Sequence, residues 1–257
     1  MPRWVFDSYM ANPYESEKLV AEYLFFHYAG AETFSGGMPV PREALDFPVR
    51  LVTELTDFSR PAERVLDLGC AVGRSSFEFA RTAKSVLGID YSSAFIRAAN
   101  MLKQDGRLAC EVVLEGERLE KFTAQVPDGL DVSRVCFETG DATALRSDIG
   151  SFDIVLAANL LCRLPEPARF LERLPGLVVP GGQLLLATPF SWLPEYTSPE
   201  HWIGGRPSTG ASWDALSEAL DPHFELQLSK DMPFLIREHS RKYQYGISRG
   251  SRWVRRS

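Results

Sequence analysis

Two glycines in the stretch VLDLGCAVGRSS (residues 65–76) have the spacing of a turn whose backbone can contact a small molecule. Gly69 and Gly73 lie between an apolar run and a helix-like run, where glycine lets the backbone approach a ligand closely. The dinucleotide fingerprint GxGxxG would require glycines where Ala71 and Arg74 stand. The turn therefore predicts a nucleoside-like ligand and argues against NAD and its pyrophosphate.

Acidic side chains end the strand-like runs on either side of this turn. Asp67 ends the first run, and Asp90 ends the next, where a carboxylate can accept from both ribose hydroxyls of an adenosine. Asp141, within GDA, ends a third run and suits the exocyclic amine of adenine, since a carboxylate accepts and cannot donate. Asn159 ends a fourth run, over the expected ligand crevice.

Strands and helices must alternate to bring these residues together. From about residue 62, short β-rich runs are followed by helical runs, which predicts a parallel sheet with helices on both faces. Two later runs alternate apolar and polar residues and are predicted to be antiparallel strands at the sheet edge. Residues 106–131 do not fit the rhythm and are expected to form an inserted hairpin or loop. Strands are predicted at 64–68, 85–90, within 134–141, 152–159, 181–189, 223–232 and 241–256, and helices at 75–83, 93–104 and 165–174.

Helices are also predicted in the first 60 residues. Residues 12–30 read as one helix that Asn12 caps, with Glu15 as a capping carboxylate and Gly30 at its end. A second helix is predicted to open at Asp46. These helices are too short to bury a core alone, so we expect residues 1–60 to cover the carboxyl edge of a sheet domain spanning 61–257.

The first of these helices carries several polar-tipped rings. At 100° per residue, Tyr14 and Tyr28 share one face, while His27 points elsewhere. Tyr14 and Tyr28 are therefore candidates for contacting a ligand, and His27 is a secondary candidate for a catalytic base. The alternative is that these rings are ordinary packing against the sheet.

Composition and charge exclude several classes of protein. The net charge is −6 and the pI about 5.4, with no long basic block, which argues against a nucleic-acid partner. No apolar run is long enough for a membrane helix, and MPRWVFDSYM lacks the apolar core of a signal peptide. The scattered histidines and four cysteines without CxxC predict no bound metal and a reducing, cytoplasmic setting. The basic end RGSRWVRRS is expected to be a solvated strand or tail, or else an anion or partner site.

The three strand ends together resemble the class I S-adenosylmethionine-dependent methyltransferases. That resemblance implies a Rossmann-like α/β fold with a mostly parallel seven-stranded sheet, an N-terminal helical cover, and S-adenosylmethionine as the cofactor, with S-adenosylhomocysteine as product. The residues implied in cofactor binding are Asp67, Gly69, Cys70, Ala71, Gly73, Arg74, Asp90, Tyr91, Gly140, Asp141, Ala142 and Asn159.

The flanking segments resemble a narrower family, the methyltransferase domain of the ovothiol biosynthesis enzyme (4-mercaptohistidine N1-methyltransferase). The resemblance runs from about Tyr9 to Trp253. It implies methylation of an imidazole nitrogen of 5-thiohistidine, an amino-acid-like small molecule, with a separate sulfoxide synthase as functional partner. The matching segments are NPYESEKLVAEYLFFHYAG, FPVRLVTEL, LDLGCAVGRSSFEFAR, AANLLCRLPEPARFLERLPGLVVPGGQLLLATPFSWL and DMPFLIREHSRKYQYGIS.

Such a substrate needs rings to sandwich the imidazole and charged groups for its ends. Arg163 follows the fourth strand and is a candidate for a carboxylate, the alternative being a salt bridge to Glu166 or Glu172. Phe190 and Trp192 follow the fifth strand and could form a wall of the acceptor slot. Tyr14, Tyr28, Asn159, Arg163, Phe190 and Trp192 are the predicted substrate-binding residues.

Other functions remain open from the sequence. The acceptor could be another small nucleophile, such as an amine, thiol or phenol, because pocket shape sets the acceptor. A non-catalytic protein that binds S-adenosylmethionine is a further alternative. A nicotinamide oxidoreductase is disfavoured by the missing glycines at positions 71 and 74.

Overall fold

Seven strands form one central sheet in the computed structural model, which describes residues 12–257. The interpretation of MPRWVFDSYM falls on residues 1–10, outside the described residues. The strands along the chain are β1 (Arg64–Leu68), β2 (Ser85–Asp90), β3 (Arg107–Glu115), β4 (Arg118–Gln125), β5 (Val135–Thr139), β6 (Phe152–Ala158), β7 (Val178–Thr188), β8 (Phe224–His239) and β9 (Lys242–Arg255).

The strand order is β5-β2-β1-β6-β7-β9-β8. The first five strands of that order are parallel to their neighbours, and β9 and β8 are antiparallel at the edge. This confirms the predicted α/β fold with a mostly parallel seven-stranded sheet. The carboxyl ends of β1, β2, β5 and β6 therefore meet along one edge, where the predicted ligand residues stand.

Seven helices pack around the sheet in the described part of the chain. Helix α4 follows the glycine turn and ends at Phe79, four residues before the predicted end, and α6 begins two residues later than predicted. The helices are α1 (Glu17–Tyr28), α2 (Ala31–Ser35), α3 (Phe47–Leu55), α4 (Arg74–Phe79), α5 (Ser93–Asp105), α6 (Pro167–Leu177) and α7 (Ser212–Leu220).

The start of the chain corrects the prediction of one helix over residues 12–30. Asn12 caps a single 3-10 turn by accepting from the Tyr14 N–H, and Ser16 then adopts an extended conformation and caps α1 itself. Helix α1 ends at Tyr28, and Gly30 precedes α2 instead of ending α1. The break arises because Ser16, a good N-cap residue, offers its hydroxyl to the Leu19 N–H.

The N-terminal helices share an apolar cluster with the sheet. Leu24, Leu51 and Leu55 are fully buried in the same cluster as Val65 of β1 and Phe77 of α4. Burial of this kind is what a short helix needs, because its own hydrogen bonds do not stabilise it in water. The division of the chain at residue 60 stays a prediction.

Residues 106–131 form a hairpin, the first of the two predicted alternatives. Strands β3 and β4 pair with each other and not with the central sheet. The Phe122 ring packs 4.9 Å from that of Phe25 in α1, and Leu114 O accepts hydrogen bonds from Ser240 at the β8–β9 turn. The hairpin thus lies against the N-terminal cover.

Strand β8 continues past the predicted end at residue 232, while β9 is one residue shorter at each end than the predicted 241–256. Only the end of β9, from Arg249 to Val254, pairs with β7, so the hairpin continues past the carboxyl end of β7. Pro233 is tolerated within β8 because β8 is an edge strand. The basic end of the chain is a strand whose arginines bond to carboxylates or carbonyls, for example Arg249 to Asp231 at 3.0 Å.

Candidate active site

The glycine turn after β1 is held in a left-handed backbone conformation. Gly69 and Gly73 have φ of 72° and 84°, and Ala71 has φ of 48°. The N–H of Gly69 donates to Ile89 O at 2.8 Å, which ties the turn to β2. A Cβ at Gly73 would lie 2.5 Å from the Phe137 ring, so glycine is required there on packing grounds as well as by φ.

Asp90, at the end of β2, joins this turn to the next loop. Its Oδ2 accepts from the Ala71 N–H at 2.9 Å and its Oδ1 from the Ser92 N–H at 2.8 Å. Burial raises the pKa of Asp90, and these backbone hydrogen bonds oppose the shift. Each carboxylate oxygen keeps a second lone pair, so the group can still accept from two hydroxyls.

Asp67, at the end of β1, is 2% exposed and accepts from Ser76 Oγ at 2.6 Å. Burial raises the pKa of Asp67 to about 7, with the Ser76 hydrogen bond lowering it and the charge of Asp90 raising it further. The free site therefore holds a carboxyl group that a bound cation would convert to its charged form.

Asp141 follows β5 and sits beside Asp90. Gly140 donates to Asp90 O at 2.9 Å, which brings the two strand ends together. The backbone N–H and the hydroxyl of Thr143 both bond to Oδ1 of Asp141 at 2.7 Å, which fixes the carboxylate. Its orientation therefore does not depend on a ligand.

Three further residues predicted to bind the cofactor differ in accessibility. Tyr91 is 68% exposed next to Asp90, which leaves its ring free to contact a ligand. Cys70 and Arg74 are buried, and Arg74 is paired with Glu78 at 2.9 Å within α4. The positive charge of Arg74 therefore lies inside the protein, next to the carboxylate of Glu78.

Asn159 follows β6 with φ of 53°, a conformation that asparagine tolerates better than most residues. Its N–H donates to Ala187 O at 2.7 Å, and its Oδ1 accepts from Ser248 Oγ at 2.6 Å. Ser248 of β9 thus reaches across the end of β7 to the end of β6.

Tyr14 lies in a cluster of rings and charge. Its ring centroid is 6.1 Å from that of Tyr23, 5.8 Å from Phe95 and 6.4 Å from Tyr196. The guanidinium of Arg163 lies over the Tyr196 ring at 4.9 Å. Burial chiefly raises the pKa of Tyr14 to about 12, Tyr196 adds to this, and the charge of Arg163 opposes it. The structure therefore brings Tyr14 and Arg163 together.

The helical count from Tyr14 to Tyr28 was wrong, because the chain is extended at Ser16. Tyr14 packs on Tyr23, whose ring lies 5.7 Å from that of His27, and the His27 ring lies 6.4 Å from that of Tyr28. The Tyr28 hydroxyl donates to Val72 O in the glycine turn at 2.8 Å.

His27 stays a prediction as a catalytic residue, and its surroundings define what it can do. Within residues 12–257 its Nδ1 is buried without a hydrogen-bond partner. Burial, followed by the charge of Arg74, lowers the pKa of His27 to about 3. The imidazole is therefore neutral at neutral pH and a weak base.

Arg163 does not form the salt bridge considered as its alternative role. Within the described residues Glu166 pairs with Arg169 at 3.5 Å, while Arg163 donates to Ser191 O at 3.0 Å. Trp192, in the loop after β7, is tied to the start of α7, since its indole donates to Ser212 Oγ at 2.9 Å. Phe190, with φ of 51°, is half-buried against the neighbouring core.

Comparison with known proteins shows what the part of the chain around these strand ends resembles. The methyltransferase domain family matches residues 66–186. The chain is 28% identical over 152 residues to the ubiquinone biosynthesis O-methyltransferase of Xanthomonas campestris pv. campestris, covering 59% of this chain and 53% of that protein. The protein of the same name from Coxiella burnetii is 26% identical over 141 residues, or 55% of this chain and 50% of the relative. The chain thus spans about half the length of these curated relatives.

Solved structures share the fold. N-methyltransferase NodS from Bradyrhizobium japonicum, in complex with S-adenosylhomocysteine, aligns with a TM-score of 0.52 at 14% identity, over 93% of this chain and 99% of that one. A SAM-dependent methyltransferase from Methanosarcina mazei aligns with a TM-score of 0.52 at 20% identity, over 77% of this chain and 94% of that one. Residues 66–186 therefore match a methyltransferase domain, and the chain has the Rossmann-like fold of S-adenosylmethionine-dependent methyltransferases.

The residues at these strand ends fit S-adenosylmethionine. The turn lets its backbone approach a ligand closely, since Gly69 and Gly73 carry no side chain and both have positive φ. Backbone N–H groups hold Asp90 and Asp141, and the carboxylate oxygens of both residues keep lone pairs that can accept from a ligand. Asp67, whose pKa is raised, suits the positive charge of the methionine portion.

Several residues beside the candidate site are not among the residues predicted from the sequence. Tyr23 could have been found, since it lies one turn before His27. Tyr196 lies in the loop after β7, where only Phe190 and Trp192 were named as candidates. Ser248 gave no signal, because its place depends on the register between β9 and β7.

No helix among residues 12–257 is both long and apolar enough to cross a membrane. The same residues contain no cluster of three His, Cys, Asp or Glu side chains arranged for a metal ion. The four cysteines are free thiols.

Proposed function

We propose that this methyltransferase methylates an imidazole nitrogen of 5-thiohistidine, giving ovothiol and S-adenosylhomocysteine. The proposal rests first on the resemblance of the flanking segments to the ovothiol methyltransferase domain, because these segments lie outside the generic cofactor core. The observation that carries it is the Arg163 guanidinium beside Tyr14 and Tyr196 at the carboxyl edge of the sheet. An amino-acid acceptor brings a carboxylate that a guanidinium binds well, and an imidazole that rings can sandwich.

In this proposal the strand ends hold the donor. Asp90 accepts from the ribose hydroxyls, Asp141 accepts from the adenine amine, and Asp67 faces the cationic methionine portion. When bound, S-adenosylmethionine supplies a methyl group already activated by its positive sulfur. The protein then has to align the acceptor nitrogen with that methyl group, a task of proximity and orientation.

The difficult part is choosing nitrogen over sulfur, since the thiolate of the acceptor is the better nucleophile. Tyr14 and Tyr23 are half-buried, and burial raises the pKa of both, so their hydroxyls stay protonated and can donate. Donors of this kind could hold the thiolate in place and leave the ring nitrogen free to react.

His27 is proposed to act as a neutral hydrogen-bonding group and not as a strong base. Its pKa of about 3 leaves it unable to hold a proton at neutral pH. A strong base is not required, because the neutral imidazole of the acceptor already has a nitrogen lone pair. Tyr28 is proposed to shape the site through its contact with the glycine turn.

The proposal also places the protein in a reaction sequence and a compartment. A separate sulfoxide synthase would supply the thiolated histidine. The free thiols fit a cytoplasmic setting, where cysteines stay reduced.

A second candidate acceptor is a phenol, and the curated relatives named as ubiquinone biosynthesis O-methyltransferases favour it. The test is to incubate the protein and S-adenosylmethionine with equal concentrations of 5-thiohistidine, histidine and a catechol. The proposal expects turnover of 5-thiohistidine well above the other two. Turnover of the catechol alone would replace the proposed N-methylation with O-methylation of a phenol. No turnover with any acceptor would favour a non-catalytic protein that binds the cofactor.

A further inference from the structure

Ser248 makes an unusual contact for a residue of an edge hairpin. It is fully buried, and its hydroxyl donates to Asn159 Oδ1 at 2.6 Å. In the register of β9 on β7, Arg249 pairs with Thr188, the last residue of β7. Ser248 is therefore the first residue past the end of β7, and its side chain spans that end to reach the end of β6.

Asn159 is fixed at three points. Its backbone is in the left-handed region at φ of 53°, its N–H donates to Ala187 O, and its carboxamide oxygen accepts from Ser248. Within the described residues no protein group accepts a hydrogen bond from its Nδ2. Because Oδ1 is engaged by Ser248, the two N–H bonds of the carboxamide are the part left for a ligand.

We propose that Ser248 is a positioning residue that holds the Asn159 carboxamide with its NH₂ group toward the crevice. The site then offers a hydrogen-bond donor to the acceptor, and it favours acceptors that present an anionic or lone-pair atom there, such as a carboxylate or a thiolate. This inference rests on the proposed placement of Asn159 in the acceptor site. It extends that proposal by naming a residue of the C-terminal strand that decides which end of Asn159 a substrate meets.

Without the Ser248 hydroxyl, the carboxamide can rotate and present its oxygen, which repels an anionic atom. Ser248→Ala is therefore expected to raise the acceptor KM about tenfold, the effect of about one hydrogen bond, with kcat within about twofold. The affinity for S-adenosylhomocysteine should be unchanged. Ser248→Thr keeps the hydroxyl and should restore most of the wild-type KM.

Two variants at position 159 separate positioning from mere packing. Asn159→Asp still accepts from Ser248 but has no N–H to donate, so it should weaken binding of an anionic acceptor at least as much as Ser248→Ala. In a double-mutant cycle, Ser248→Ala should add nothing to Asn159→Ala, because Asn159→Ala already removes the carboxamide that Ser248 orients. Additive effects, or a normal KM in Asn159→Asp, would overturn the inference.

The cycle is measured with 5-thiohistidine, and with the catechol or histidine if the wild-type chain turns over one of those instead. Failure of the wild type on 5-thiohistidine overturns the proposed function and not the Ser248–Asn159 coupling. Thermal unfolding of each variant in the presence of S-adenosylhomocysteine shows that it is folded. If Ser248→Ala does not fold, the acceptor KM of Asn159→Asp compared with that of the wild type still decides whether the acceptor binds to an N–H donor at position 159.

Discussion

The carboxylate of Glu15 accepts a hydrogen bond from the Ser93 N–H at 2.8 Å, at the first turn of α5. The Ala94 N–H donates to the same carboxylate at 3.2 Å, so Glu15 caps a helix distant in sequence from its own. Next to it, Ser92 Oγ donates to Tyr14 O at 2.8 Å. The N-terminal cover is thereby fastened to the loop that follows Asp90.

Glu15→Ala should loosen this fastening. We expect faster protease cleavage within residues 12–28 and a several-fold higher acceptor KM, because Tyr14 lies in the freed segment. Limited proteolysis and steady-state kinetics measure the two effects. Glu17→Ala is the control, since Glu17 is an exposed carboxylate of the same segment. Equal effects of the two substitutions would show that the cap does not hold the cover.

Asp90→Asn should weaken S-adenosylhomocysteine binding by about a hundredfold, because it removes a charged acceptor for two hydroxyls. The amide NH₂ of the asparagine would also face the N–H of Ala71 or Ser92, so that two donors meet and one hydrogen bond is lost. Isothermal titration calorimetry measures the Kd. The exposed Asp128 supplies the matched control, Asp128→Asn. A change of less than about threefold at Asp90 would remove this residue from the cofactor site.

The affinity for S-adenosylmethionine should depend on pH through Asp67. Its pKa is about 7 in the free protein, and a bound cation lowers it, so binding releases a proton below pH 7. Affinity should therefore fall by up to about tenfold per pH unit as pH drops below 7, and level off above it. Calorimetry across pH 5.5 to 8.5, about three units around the pKa, measures this. The account fails here if Asp67→Asn keeps the wild-type pH dependence.

Arg163→Gln should raise the KM for 5-thiohistidine by more than about tenfold, because a charged hydrogen bond to its carboxylate is lost. The Kd for S-adenosylhomocysteine should stay within about twofold. Arg169→Gln, which removes an exposed arginine paired with Glu166, serves as the control. A normal KM in the Arg163 variant would show that the guanidinium does not bind the acceptor and only packs on Tyr196.

The placement of the candidate cofactor residues was predictable because its signals are local. Asp67, Asp90 and Asp141 each stand at the end of an apolar run, and the rule that parallel strands align their carboxyl ends brings them together. The glycine turn likewise carries its conformation in its own residues. The α/β fold and the class of cofactor followed from these few positions.

The acceptor half was only partly predictable. The rings chosen from the first helix stay candidates. Ser16 interrupts that helix, and a count of 100° per residue fails across an extended residue. Glu15 was interpreted as a cap for its own helix and instead caps α5, a contact between distant segments. Ser248 depends on strand register, which a single sequence does not specify.

Transfer of an isotope-labelled methyl group from S-adenosylmethionine to 5-thiohistidine, followed by NMR of the product, tests the central claim most directly. The account predicts a single product whose labelled methyl is bonded to the ring nitrogen nearer the amino-acid side chain. A product methylated on sulfur, or no transfer by a protein that binds the cofactor and methylates a different acceptor, would contradict it.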